Sequence, residues 1–148
     1  MISKTKKFNK KLWIENDKRG KEFTISLLKN IYNNNIKIIE GEKYGVDLKI
    51  FNKNNVLIKT VEVEVRHNWN TDSKFPFNTL NIPYRKKKFF INNNCEYISI
   101  NNLFTRCLLI KEKDILESPI EENKNKYIKT GEKFYKVDIT KCKEYIGK

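Results

Sequence analysis

The alternation of apolar and polar positions is sharpest in VEVEVR, residues 61–66, where Val61, Val63 and Val65 interleave with Glu62, Glu64 and Arg66. On a strand this spacing puts the valines on one face and the charges on the other. The stretch ends a longer strand pattern, VLIKTVEVEVR (56–66). Two shorter patterns precede it, IKIIEGE (36–42) and VDLKIF (46–51). Gly41 and Gly45 punctuate a turn between them, and NKNN (52–55) supplies turn chemistry before the long strand. Upstream, Phe23, Leu27, Leu28 and Ile31 recur at helical spacing. They predict a helix that starts at Asn16 or Asp17, either of which suits an N-cap, and stops at the asparagines 33–35. The first half therefore reads as one helix followed by an antiparallel meander, with residues 1–11 a basic N-terminal arm.

The second half is less regular. Residues 67–83 read as a loop broken by Pro76 and Pro83, and YRKKKFFI (84–91) as a short basic helix begun after Pro83. EYISI (96–100) and TRCLLIKEKDI (105–115) read as strands around an NNLF turn, 117–126 as a polar surface loop, and KFYKVDI (133–139) as a last strand near an edge. There are no internal repeats. With 148 residues the chain fits one domain with a sizeable core. The expected class is α/β (α+β), a single mixed β-sheet flanked by helices.

Charge changes this picture most. The chain carries 31 Lys and Arg against 18 Asp and Glu, a formal net charge of +13. That surplus points to a polyanionic partner. No amphipathic basic helix of useful length suits a membrane surface, so the expected partner is DNA, with RNA an open alternative. No apolar run approaches the ~18 residues of a membrane span, and no apolar region follows the basic start MISKTKKFNKK as in a signal peptide. The expected location is cytoplasmic, in a host cell if the gene is carried by a phage. Cys95, Cys107 and Cys142 lack CxxC spacing and His67 is the only histidine, which argues against a zinc site and for reduced thiols.

Against that basic background, Glu62 and Glu64 share one strand face and repel each other unless a cation lies between them. Asp47 starts the strand that pairs with VEVEVR through the NKNN turn, opposite roughly Thr60 to Glu62. Asp47, Glu62 and Glu64 are therefore candidate ligands of one hard divalent cation, Mg²⁺ or Mn²⁺.

Gly45-Val46-Asp47, a hairpin turn, then Val61-Glu62-Val63-Glu64 resembles the core of the PD-(D/E)XK nuclease superfamily, over roughly residues 17–66. The superfamily pattern has an acid near the start of one strand and acid-x-Lys on the next, often with a further acid on the preceding helix. Glu22 matches that helix position. Val46 stands where the motif has Pro. With Glu62 as the motif acid, Glu64 occupies the lysine position; with Glu64 as the acid, Arg66 does. We take Glu62 as the acid and Glu64 as a variant residue, a ligand or a base for the attacking water. Lys49 and Lys59 are candidates to replace the missing lysine.

The resemblance implies a restriction-endonuclease-like core and a Mg²⁺-dependent endonuclease in which Glu22, Asp47, Glu62, Glu64 and Arg66 serve catalysis, Arg66 on the scissile phosphate. Small size and basic charge suit a structure-selective enzyme such as a Holliday-junction resolvase, or a small restriction or homing enzyme. The rival is a non-catalytic nucleic-acid-binding protein that keeps the fold. Arg66, His67, Arg85, Lys86, Lys87 and Lys88 are expected to contact nucleic acid, whereas Trp69, Phe75, Phe77, Tyr84, Phe89 and Phe90 are read as core. Cutting two strands calls for two sites, so a homodimer is expected, joined through Trp69 to Phe77 or Cys107 to Ile110.

Overall fold

The computed structural model describes residues 10–91, 94–125 and 128–147. Helix α1 (Lys10–Ile31) lies on a six-stranded sheet built of β1 (Ile36–Glu40), β2 (Leu48–Asn52), β3 (Leu57–Arg66), β5 (Cys95–Asn101), β6 (Arg106–Ile110) and β9 (Lys143–Ile146), in the order β1-β2-β3-β5-β6-β9. A second sheet, in the order β4-β8-β7, holds β4 (Thr79–Pro83), β7 (Ile120–Asn125) and β8 (Ile128–Asp138). A 3₁₀ turn (Tyr84–Lys86) leads into α2 (Lys87–Phe90), and α3 (Glu112–Leu116) follows β6. The expected mixed sheet is there, but the fold has two sheets rather than one.

The helix starts earlier than expected, because nothing in KKLWIEN breaks it. Residues 1–9 of the expected arm lie outside the described residues, and Lys10 and Lys11 are already helical. Its stop is as read: Asn33 and Asn34 take left-handed φ of 53° and 62°, which asparagine tolerates, and the Asn34 N–H caps the Lys29 carbonyl at 2.8 Å. Gly20, Thr24 and Leu28 form the buried stripe. A Cβ on Gly20 would lie 3.0 Å from Val65 Cγ2 and 3.3 Å from Val63 Cγ1, so glycine sets how closely helix and sheet approach.

The meander forms with the expected pairing. Leu48 faces Val61 and Lys49 faces Thr60 across the β2–β3 hairpin, and Asn52 Oδ1 fastens its turn by accepting from the N–H groups of Asn54 and Val56. The chain then crosses over, through β4 and α2, to β5, which runs parallel to β3 with Glu62 beside Tyr97 and Glu64 beside Ser99.

Five elements, β4, β7, α3, β8 and β9, depart from the pattern reading. β4 lies in the segment read as loop, where Leu80 and Ile82 alternate into the core between prolines that masked the signal. β7 occupies the expected polar loop, because its apolar content is low and β8 alone pairs it. The strand read over 105–115 ends at Ile110, and α3 begins at Glu112. β8 is the central strand of its sheet, not near an edge, and β9 follows it.

Two cores result, one on each face of the large sheet. Leu28, Leu48, Ile50, Val61, Ile98 and Ile100 fill the space under α1. Trp69, Leu80, Ile82, Phe90, Tyr97, Ile115 and Tyr135 fill the space between the sheets. VEVEVR is thus covered on both faces, with its valines toward the helix and its charges toward the second layer.

Candidate active site

The β2–β3 register carries Asp47, the residue before β2, to the position across from Glu62. Two hydrogen bonds lock the pair together. The Asp47 N–H donates to Glu62 Oε2 at 2.9 Å, and the Val63 N–H donates to Asp47 Oδ2 at 2.8 Å. Asp47 Oδ1 has no hydrogen-bond donor among the described residues. Glu62 is only 3% exposed, and its other oxygen accepts from the Lys86 ammonium at 2.9 Å. Burial pushes the Glu62 carboxyl above its ordinary 4.5, Lys86 pulls it down, and Asp47 adds to the rise.

The lysine that meets the acid therefore comes from a different element than the strand motif places it. Lys86 ends the 3₁₀ turn before α2 and reaches inward, 19% exposed, while Lys87 and Lys88 stay on the surface with their ammonium groups 5.4 Å and 5.0 Å from the ring centroids of Tyr84 and Phe89. Neither strand lysine takes the role. Lys59 is on the helix face, paired with Glu96, and Lys49 stands beside Thr60 without an ion pair to Glu62.

Glu64 lies on the same face two residues on, held by other partners. The Tyr97 hydroxyl donates to Glu64 Oε2, and Arg66 Nε lies 3.1 Å from Glu64 Oε1. Tyr97 is fully buried, and burial, then the Glu64 charge, keep its hydroxyl protonated well above pH 10.0. Arg66, expected on a phosphate, is engaged within the protein. Its Nε donates to Ser99 Oγ at 2.6 Å and its Nη2 to the Asn81 carbonyl, so one guanidinium joins β3, β5 and β4. The repulsion between Glu62 and Glu64 is thus relieved by one cation each, Lys86 and Arg66, and by a tyrosine hydroxyl.

Other expected residues stay outside this cluster. Glu22 is 64% exposed on α1 and pairs with Lys18 at 4.0 Å. Its neighbour Lys21 is the helix residue that senses the site. Burial works against the Lys21 charge, but Asp17, Asp47 and Glu40 together hold its pKa above 10.5. His67 is exposed in the turn after β3, and Arg85 pairs with Glu132. Of the two segments expected to join a dimer, Cys107 to Ile110 is largely core, with Cys107, Leu108 and Ile110 buried, whereas Trp69 to Phe77 buries Trp69 and Phe75 and exposes the rest, Phe77 included. The cysteines are unpaired.

Sequence reasoning missed Tyr97, Ser99 and the inward turn of Lys86. The first two carry a signal, since Tyr97 and Ser99 alternate with Ile98 and Ile100 as VEVEVR alternates. Lys86 carries none, because only the packing of α2 separates it from Lys87. Among the described residues no three His, Cys, Asp or Glu side chains are arranged to hold a metal ion, and no helix is long and apolar enough to cross a membrane. Compared with known proteins, the chain matches no family model, no curated protein and no solved structure.

Proposed function

We propose that the chain is a divalent-metal-dependent endonuclease that hydrolyses phosphodiester bonds in DNA, with a restriction-endonuclease-like core. The observation that carries this reading is the meeting of Asp47, Glu62 and Lys86, from three separate elements, on one face of the large sheet. Each charge is costly where it stands, and the Lys86 ammonium satisfies no backbone group among the described residues. The arrangement supplies the two acids of the motif and, from the crossover, the lysine that its strand lacks.

Asp47 and Glu62 fit Mg²⁺ or Mn²⁺ as ligands. Both offer hard oxygens, Asp47 Oδ1 accepts no hydrogen bond among the described residues, and an ammonium already stands against Glu62. Mg²⁺ is usually held by one or two carboxylates and keeps several waters, which suits two protein ligands and leaves Glu64 to Tyr97 and Arg66. When bound, such an ion activates water and neutralises charge on the phosphate. The chain's own residues do the rest. Lys86 offers a cation to a phosphate oxygen, the Val63 N–H fixes the Asp47 carboxylate, and Tyr97 with Arg66 fixes Glu64 at the rim. The exposed Lys87 and Lys88 hold the DNA backbone without regard to sequence.

The substrate reading is a branched, junction-like DNA, with a small restriction or homing enzyme as neighbour. Two symmetric cuts require a homodimer, for which the exposed part of the Trp69 to Phe77 segment, Phe77 included, is better placed than the buried Cys107 to Ile110 strand. A second reading, a non-catalytic DNA-binding protein of the same fold, draws on the same ion pair: Lys86 and Glu62 neutralise each other without any metal. Incubation of the purified protein with supercoiled plasmid, four-way DNA junctions and RNA, each with and without Mg²⁺, separates the two. Cleavage that requires Mg²⁺ is expected, and binding without cleavage on every substrate would establish the second reading.

A further inference from the structure

Among the described residues two Lys–Glu pairs are shielded, one on each face of the large sheet. On the helix face Lys59 pairs with Glu96, with the ammonium 5.4 Å from the Tyr32 ring centroid. On the other face Lys86 pairs with Glu62. Chemically the pairs are alike. They differ in one respect: Glu62 also accepts the N–H of Asp47, whose own carboxylate adds a second negative charge, whereas no second carboxylate is hydrogen-bonded into the Glu96 pair.

A monovalent ammonium therefore stands against a divalent negative charge at one of the two places. It satisfies one oxygen of Glu62 and leaves Asp47 Oδ1 open. We infer that Lys86 is the resident counter-ion of the site and competes with the divalent metal for Glu62, so that metal loading drives the ammonium off Glu62 and frees it for a substrate phosphate. This rests on the nuclease reading and adds a rule for its occupancy. Two cations bound to one carboxylate repel each other strongly where water is scarce. Lys86 rises from a surface turn on a flexible stem, so its head can leave while the backbone of the turn stays in place. Lys59 is expected to stay, because among the described residues no second carboxylate is hydrogen-bonded to Glu96, although Asp114 lines the same cavity.

The consequence is opposite in sign for binding and for turnover. Removing the lysine removes a competitor for the metal and also removes a cation from the substrate. Lys86→Met is expected to bind Mn²⁺ or Mg²⁺ at least about tenfold more tightly than the wild type, by titration calorimetry, while cleaving DNA more slowly. Lys86→Gln, which keeps a hydrogen-bond donor for Glu62, is expected to behave likewise and guards against misfolding of the methionine variant. In the unmodified protein, lysine Nζ resonances followed by NMR during Mg²⁺ titration are expected to shift for Lys86 and to hold still for Lys59. Unchanged or weaker metal affinity in both variants overturns the competition, as does a Lys86 resonance that ignores a metal shown by calorimetry to bind. Absence of metal binding in wild type and variants alike overturns the metal site itself, and this inference with it.

Discussion

The two faces of β3 solve the problem of being buried in opposite ways. Toward α1, Val61, Val63 and Val65 need only shape, and Gly20 provides it by letting the helix settle onto the valine methyl groups. Toward the second sheet, Glu62, Glu64 and Arg66 need partners, and each has them: Lys86 and the Asp47 N–H for Glu62, Tyr97 for Glu64, Ser99 and the Asn81 carbonyl for Arg66. A strand buried on both faces and free of functional demands is ordinarily apolar on both. Charged networks that are fully bonded are rarely more stabilising than the apolar packing they replace. The helix face explains why the fold holds, and the charged face is where the proposed chemistry would lie.

The largest effect expected from that division falls on activity alone. Asp47→Asn keeps an acceptor for the Val63 N–H and removes the charge, so it should lower Mg²⁺-dependent plasmid cleavage by about a hundredfold or more, the scale of losing one charge-stabilising group in an active site, while DNA binding in gel shifts holds or strengthens. Ile98→Ala, on the helix face, should do the reverse: about 2–5 kcal/mol of stability lost in urea melts, with cleavage per folded molecule kept. If Asp47→Asn cleaves normally, the charged face has no catalytic meaning.

Arg66 tests the same division within the charged face. Its side chain is 10% exposed, and Arg66→Ala leaves Glu64 without its cation and the Asn81 carbonyl without its donor. A loss of stability of up to about 3 kcal/mol is expected, discounted from the fully buried case because Glu64 is 28% exposed. Chemical denaturation checks it. An arginine that served only the phosphate would leave the midpoint where it is and change DNA affinity instead.

The parts of this molecule that were legible in its sequence are those that short-range pattern governs. The α1 stop at Asn33 and Asn34, the β2–β3 hairpin and the place of Asp47 beside Glu62 all follow from spacing and turn chemistry within a few residues. Of the second sheet only the central strand β8 was legible, as the strand read over 133–139. β7 is polar because one neighbour and solvent suffice for it, and β4 hides two core residues between prolines. Lys86 and Tyr97 reach the site through the crossover from β3 to β5, a long-range event that no local period records. Three lysines in a row look alike until α2 packs Phe90 into the core and thereby fixes which of them turns inward.

A smaller effect concerns protonation. Because burial raises the Glu62 carboxyl above 4.5 and Lys86 opposes the rise, Lys86→Met should move the Glu62 titration still higher, visible in carboxyl-carbon NMR. The sign for stability follows. A carboxyl whose folded pKa is raised contributes most below 4.5, and that contribution is lost as pH climbs through the folded value. Metal binding needs the ionised form, so the acid limb of cleavage should lie above 4.5 in the wild type. A Glu62 titration that moves downward in Lys86→Met would show that the ion pair does not govern this carboxyl.

The smallest expected effect separates α1 from the site. Glu22 fits the helix acid of the nuclease pattern, yet it points to solvent and its one ion pair among the described residues is with Lys18, at the outer limit of contact between two well-exposed side chains. Pairs of that kind contribute little, because water and side-chain entropy offset the attraction. Glu22→Ala should therefore leave both the melting temperature and the cleavage rate within experimental scatter. Lys21→Ala is the informative neighbour. Its ammonium answers to Asp17, Glu40 and Asp47, so its loss removes positive charge near the Asp47 carboxylate and should tighten divalent-metal binding slightly, in the same direction as Lys86→Met and by less. A rate loss in Glu22→Ala comparable to that of Asp47→Asn would show that the helix swings its acid into the site during catalysis, and the separation of the two faces would then belong only to the resting molecule.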